Sequence, residues 1–250
     1  MLLTAQNINK HFGGLKALQD VCFDIEPGQI FGLIGPNGAG KTTLFNCLTG
    51  AYKPTSGKFV FDGEDITGST EATAAQLGIS RTFQNIRLFK EMTALENVMV
   101  GRHCRTSAGL WGALLHNKRT LTEEREICFK ARQLLEFVEL KDSDDLLAKN
   151  LPYGHQRRLE IARALAVEPK LICLDEPAAG MNPSEVSGLM DLIRRIRDTG
   201  VTVLLIEHHM KVVMGICDVL AVLDGGVKIA SGQPDPIRND PQVIEAYLGT

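Results

Sequence analysis

Gly35-Pro36-Asn37-Gly38-Ala39-Gly40-Lys41-Thr42 fits the spacing G-x-x-x-x-G-K-[ST]. Glycines so placed let backbone N–H groups turn inward around phosphate oxygens, and a helix starting directly after them adds partial positive charge. Lys41 would reach the β- and γ-phosphates of a nucleotide. The Thr42 hydroxyl would bind Mg²⁺, a cation that keeps several waters and takes few protein ligands, and Thr43 follows it at the nucleotide. A second constellation is Asp175-Glu176, two carboxylates directly after the apolar run Leu171-Ile-Cys-Leu174. Asp175 would hold Mg²⁺ through a water. Glu176 would orient or deprotonate an attacking water, work typically worth ~10² to 10⁴ in rate.

The elements that must position these groups are an apolar strand, a tight turn and a helix. IFGLIG at 30–35 is nearly all apolar, which suits a strand covered on both faces, and it runs straight into the glycine-rich turn and a helix-like stretch at 41–48. LTAQNI and LQDVCFDI, with turn residues Gly13-Gly14 and Pro27-Gly28, predict a β-rich opening, and GKFVFDGEDI predicts another strand with a turn at Asp62-Gly63. From about 71 to 137 the pattern is mainly helical and predicts a second lobe. Residues 171–174 and 201–206 are further apolar strand runs, each after a helix-like segment, the alternation of a parallel sheet whose core resumes near 155. Ligands of open α/β sheets bind at the carboxyl ends of such strands. VLAVLDGGVKIASG predicts a hairpin turning at Asp224-Gly225-Gly226, and residues 241–248 a closing helix with Pro at its start.

Composition adds exclusions. The 250 residues are 44% hydrophobic and 23% charged, which excludes a disordered, collagen-like or disulfide-stapled chain. A formal net charge of −3 argues against a nucleic-acid partner. The balance is uneven, since residues 101–132 carry seven Lys/Arg against three Glu and so count +4, which leaves −7 for the rest. That stretch also holds the single tryptophan, Trp111, amid Leu110, Leu114 and Leu115. It reads as a solvated helix pair packing its aliphatic face on the lobe, in preference to a lipid-contacting segment. The six cysteines lie far apart with no zinc spacing and read as reduced, mostly buried thiols. With no signal peptide, and an apolar run at 201–206 far short of the ~20 residues that span a bilayer, a soluble cytosolic chain is expected.

In their order along the chain these motifs resemble the nucleotide-binding subunits of ABC transporters, and the resemblance covers essentially the whole sequence. It implies a P-loop NTPase cassette of α/β class: a RecA-like parallel-sheet core, an N-terminal antiparallel β subdomain and a helical subdomain. One domain over 1–250 is then expected, with 1–84 and 156–250 as the core and about 85–155 as the helical part. The resemblance implies that Phe12 stacks on adenine. It implies that Gln84, in Arg81-Thr-Phe-Gln84-Asn, touches Mg²⁺ and the attacking water and relays nucleotide state to the membrane subunit. Leu151-Pro152-Tyr153-Gly154-His155 looks like the family's signature segment, opening a helix that faces the γ-phosphate held by an opposite subunit. The family has Leu-Ser-Gly-Gly-Gln here. Pro152 supplies neither a hydroxyl nor an N–H, so weaker γ-phosphate contact is expected, although Gly154 still permits close approach. Asn182 stands in the segment where the family more often has Asp in an inter-subunit contact. His208 matches the histidine that hydrogen-bonds the γ-phosphate, a choice over His209 that the residues alone leave open.

Tyr-Gly-x-Gln-Arg-Arg-Leu-Glu-Ile-Ala-Arg, Pro-Ala-Ala-Gly-Met-Asn-Pro, Ile-Glu-His-His-Met-Lys and the ending Ile-Arg-Asn-Asp-Pro-x-Val-Ile-Glu-Ala-Tyr-Leu-Gly are similar to the LivG-type ATPases of branched-chain amino-acid importers. That resemblance implies ATP and Mg²⁺ as ligands and a second ATPase subunit, identical or different. It also implies two membrane permease subunits, a periplasmic amino-acid-binding protein, and a peripheral place on the cytoplasmic face of the inner membrane. Competing expectations are import of other amino acids, amides or urea, a non-transport ABC ATPase, and a P-loop kinase for a small molecule. The non-transport enzymes usually have two cassettes or a long coiled-coil insertion, and a kinase needs no signature helix.

Overall fold

A computed structural model describes residues 1–102 and 118–248. Trp111 and its leucine neighbours, Cys104 and the middle of the basic stretch lie outside these described residues. The chain divides into two compact units, one of Met1–Gln84 with Lys170–Thr250, the other Asn85–Pro169.

In the first unit, β1 (Leu3–Phe12) and β2 (Leu15–Ile25) form an antiparallel pair; β1 also pairs with β4 (Ser56–Phe61), and β4 with the short β5 (Glu64–Asp65). Alternation explains the sheet: Leu3, Ala5, Ile8, Val21, Phe23, Ile25, Phe59 and Phe61 point into a common core, while the residues between them meet solvent or the sheet edge. The second sheet runs in the order β10-β9-β3-β8-β7-β6. Its strands are β3 (Ile30–Ile34), β6 (Ile79–Arg81), β7 (Leu171–Asp175), β8 (Thr202–Ile206), β9 (Val219–Asp224) and β10 (Val227–Gly232). All run parallel except β10, which returns from β9 as the expected hairpin. Every residue of β3, β7 and β8 is buried, as strands covered on both faces must be. Helices α1 (Lys41–Leu48), α2 (Glu71–Leu77), α6 (Pro183–Asp198), α7 (Met210–Ile216), α8 (Pro234–Arg238) and α9 (Pro241–Leu248) belong to this unit. The α/β class with an antiparallel β part is therefore as expected.

The expected helical stretch from 71 needs a correction. Residues 71–84 belong to the first unit, because α2 ends at Gly78 with φ +102 and the chain at once adds β6 to the edge of the parallel sheet. Three residues are too few to show a period of two. In the second unit, α3 (Ala94–Arg102), α4 (Lys118–Phe137) and α5 (Tyr153–Leu165) pack on one another. Since α5 packs on α3 and α4, that unit ends at Pro169, beyond the expected boundary near 155. No helix among the described residues is long and apolar enough to cross a membrane.

The described cysteines are all free thiols. Burial pushes the thiol of Cys47 up to about 11 and those of Cys173 and Cys217 up to about 12. The thiolate is the reacting species, so fewer than ~1 in 100 of these groups would be reactive at pH 8. Iodoacetamide at that pH is therefore expected to leave Cys47, Cys173 and Cys217 unmodified in the native protein and to label them in denaturant, read by mass spectrometry. Native labelling of any of the three would contradict the burial.

Candidate nucleotide-binding site

The loop between β3 and α1 is shaped by what each position tolerates. Gly35 has φ +148, and a Cβ there would stand 2.0 Å from the Leu223 carbonyl oxygen, so the backbones of the loop and β9 touch. Gly40, the N-cap of α1, has φ +98, and its Cβ would meet the Ala17 oxygen at 2.7 Å. Alternation of hand along such a path turns successive N–H groups to one side and makes an anion-binding concavity. α1 follows without a side-chain cap, so the orphan N–H groups of its first turn have no local acceptor side chain at Gly40.

Lys41 is only 8% exposed, and its Nζ donates to the Gly35 oxygen at 2.7 Å and the Pro36 oxygen at 2.8 Å. Burial holds its ammonium below the usual lysine range, and the carboxylates of Glu176 and then Asp175 partly offset this. Loop and acidic pair therefore belong to one electrostatic site. A cleft of about 480 Å³ is lined by Phe12, Leu15, residues 37–43, Gln84 and Glu176. Phe12 is 43% exposed at this cleft. Its ring makes an edge contact with Tyr52 at 5.5 Å, and the Lys10 ammonium lies 4.9 Å from its centroid. An aromatic so held suits a purine face.

The acidic pair closes the strand β7. Asp175 is 4% exposed, and its N–H reaches the Thr82 hydroxyl at 3.3 Å, while the Thr82 N–H returns to the Cys173 oxygen at 2.9 Å. Thr82, which the motif reading passed over, thus leads residues 82–84 across the end of the sheet. Gln84 arrives with its Nε2 donating to Glu176 Oε2 at 2.8 Å. Glu176 continues the ladder to β8 through its N–H on the Ile206 oxygen at 2.9 Å, yet has φ +45, a region that costs an ordinary residue of order 1 kcal/mol or more. His208 Nδ1 stands 3.7 Å from Glu176 Oε1, an ion pair when the imidazole is protonated. This separates the two histidines: His208 faces the acid, whereas His209 is the N-cap of α7.

Thr42, Asp175 and Gln84 present a hydroxyl, a carboxylate and a carboxamide oxygen. That hard-oxygen set, poor in charge, fits Mg²⁺ holding waters better than a transition metal. Among the described residues no group of three or more His, Cys, Asp or Glu is placed to hold a metal.

In the second unit, Leu151 is buried, Pro152 is the N-cap of α5 without a side-chain cap bond, Tyr153 and His155 are exposed, and Gly154 is buried. Gln156 closes the first turn of the helix: its N–H donates to the Pro152 oxygen at 2.9 Å and its Nε2 to the Leu151 oxygen at 2.8 Å. Below this turn the sequence hid a buried ion pair. Arg157 Nη1 meets Glu160 Oε2 at 2.8 Å with both side chains at most 1% exposed, and the other Glu160 oxygen accepts the Arg87 N–H at 3.1 Å. In the first unit, Asn182 caps α6 in a capping box with Glu185, accepting the Ser184 and Glu185 N–H groups at 3.0 Å while Glu185 accepts the Asn182 N–H at 2.8 Å. The S/T/D/N-x-x-E spacing at 182–185 was the signal for it.

Comparison with known proteins agrees with this geometry. The family profile described as ABC transporter matches residues 18–179, and the profile described as branched-chain amino acid ATP-binding cassette transporter matches 227–250. The chain is 46% identical to the high-affinity branched-chain amino acid transport ATP-binding protein LivG of Escherichia coli K12, covering 99% of this chain and 98% of that one. It is 47% identical, over the same shares, to BraF of Pseudomonas aeruginosa, which carries the same description. The solved ADP conformation of MJ1267, an ATP-binding cassette of an ABC transporter, matches with a TM-score of 0.88 and 37% identity over 100% of this chain and 99% of that one. The profile match over residues 18–179 and the 46–47% identity over nearly the whole chain place it in the family of ABC transporter ATP-binding cassettes.

Proposed function

We propose that this chain is the ATP-hydrolysing subunit that energises import of branched-chain amino acids through a membrane ABC transporter. The observation that carries the reading is the cleft where the Lys41 loop, Gln84 and Glu176 converge, in a chain 46% identical over nearly its whole length to LivG. Adenine stacks on Phe12, and residues 35–43 wrap the phosphates with Lys41 on the β/γ oxygens. Thr42, Gln84 and, through a water, Asp175 would hold Mg²⁺ there, where the ion supplies charge neutralisation. Glu176 orients and deprotonates the attacking water, Gln84 fixes the carboxylate, and His208 hydrogen-bonds the γ-phosphate.

A second ATPase subunit, identical or different, completes each site by presenting its 151–155 segment to the γ-phosphate, and Pro152 weakens that contact. ATP binding closes the pair and hydrolysis reopens it. Two permease subunits convert the motion into transport of a substrate delivered by a periplasmic binding protein, with this chain on the cytoplasmic face of the inner membrane. The test is reconstitution in proteoliposomes with the co-expressed membrane subunits and binding protein. Leucine, isoleucine and valine are expected to accumulate only when ATP reaches this subunit. ATP-driven uptake of an amide or urea instead would refute the substrate, and ATP consumption with a phosphorylated small-molecule product would refute the transport reading.

A further inference from the structure

One buried acid of the first unit has no part in the chemistry above. Glu207 lies between the end of β8 and His208, and its side chain is 0% exposed. Its Oε1 accepts the Ala178 N–H at 2.9 Å, and its Oε2 accepts the His208 and His209 N–H groups at 2.9 and 3.0 Å. An ionised carboxylate accepts on both oxygens, so it can hold N–H groups on two sides at once. A carboxamide of the same shape offers one oxygen and turns N–H donors toward the other side.

The donors belong to different turns. Ala178 lies two residues beyond Glu176, in a turn whose Ala179 N–H returns to the Glu176 oxygen at 3.2 Å. His208 and His209 lead from β8 into α7. Glu176 itself sits at φ +45, and an ordinary residue keeps such a conformation only where its surroundings over-determine it. We propose that Glu207 is a positioning residue: it clamps the turn after Glu176 to the turn carrying His208, and so fixes the two catalytic side chains relative to each other. This rests on the reading of Glu176 and His208 as catalytic groups. Buried charge-assisted bonds from three backbone donors are hard to replace, and a displacement of ~1 Å at a catalytic site can cost ~10²-fold in rate.

The test is ATPase kinetics of the purified chain with Glu207→Gln and Glu207→Asp, each alone and with His208→Ala, alongside ATP binding and thermal melts. Glu207→Gln is expected to lower kcat by roughly 10- to 100-fold with KM and ATP affinity within about two-fold of wild type and melting still cooperative. Glu207→Asp keeps the charge one methylene short and recovers part of the rate. In the His208→Ala background, Glu207→Gln is expected to cost less than about three-fold more, because residues acting as a unit are not additive. A wild-type kcat in Glu207→Gln, or an equal loss in both backgrounds, would overturn the proposal. Failure of both Glu207 variants to fold would overturn it too, since the clamp would then serve folding alone. The catalytic reading is judged separately: it fails if the wild type hydrolyses no ATP or if His208→Ala keeps the full rate.

Discussion

Glu176→Gln is expected to bind ATP at least as tightly as the wild type while hydrolysing it ~10² to 10⁴ times more slowly. The substitution keeps shape and can keep a partner for Gln84, whose Nε2 donates to Glu176 Oε2 at 2.8 Å, so the cleft should hold its form. What goes is the negative charge that attracts a proton from water, and ~10² to 10⁴ in rate equals about 3 to 5 kcal/mol of barrier. Two charge effects bear on binding, and they oppose each other. Glu176 raises the Lys41 pKa, so its removal lets burial depress the ammonium further. It also removes a carboxylate facing a triphosphate, a repulsion of a few kcal/mol at ~5 Å with an effective dielectric of ~20. The triphosphate itself favours the charged form of Lys41, so relief of repulsion wins and affinity holds or rises. Equilibrium binding of a fluorescent ATP analogue and phosphate release at saturating ATP separate the two quantities. Turnover near wild type would remove Glu176 from the role of base.

How much of this site could be read in the sequence depends on how local each piece of physics is. The phosphate loop was legible because its glycines, lysine and threonine are contiguous and the strand before it is apolar throughout. Asp175 and Glu176 were legible for a similar reason, since a run of buried residues that stops at two acids marks a strand end. His208 and His209 are adjacent along the chain, and only the fold, which brings Glu176 from beyond the end of β7 to 3.7 Å from His208, tells them apart. Glu207 was invisible for a stronger reason. An acid after an apolar strand reads as solvent-facing, and its burial depends on Ala178, twenty-nine residues away in sequence. Arg157 and Glu160 read likewise as the charged face of a helix until burial pairs them. In the fold, long strands and helices followed their periods, whereas β6 is three residues held by one neighbour and the boundary at Pro169 is set by helix packing. Neither leaves a pattern along the chain.

Lys41→Met is expected to abolish useful ATP binding with little change in the stability of the ligand-free protein. Stability has opposing terms. Lys41 is buried and its pKa is lowered, so below about pH 10.5, where the unfolded chain carries the charge, keeping the ammonium in the fold costs free energy, and stability rises with pH through the window above the folded pKa. Methionine removes that cost. It also leaves the Gly35 and Pro36 oxygens without the Nζ donor they now share, a loss of about 1 to 3 kcal/mol for a buried group. The two oppose each other. Binding has no such compensation, because charged hydrogen bonds to phosphate are worth about 1.5 to 3 kcal/mol each and losing two raises Kd by at least ~10². Ligand linkage turns this into a melting experiment. ATP at 100 times the wild-type Kd stabilises the wild type by about 2.7 kcal/mol, and the same concentration stabilises a variant with 100-fold weaker affinity by only ~0.4 kcal/mol. The ATP-induced rise in Tm should therefore nearly vanish in Lys41→Met while the Tm without ATP stays close to wild type. Lys41→Arg is expected to fail as well, since a planar guanidinium does not fit a side-chain site that is 8% exposed and closed by two carbonyls. An undiminished ATP-induced shift in Lys41→Met would remove the loop at 35–42 from the phosphate site.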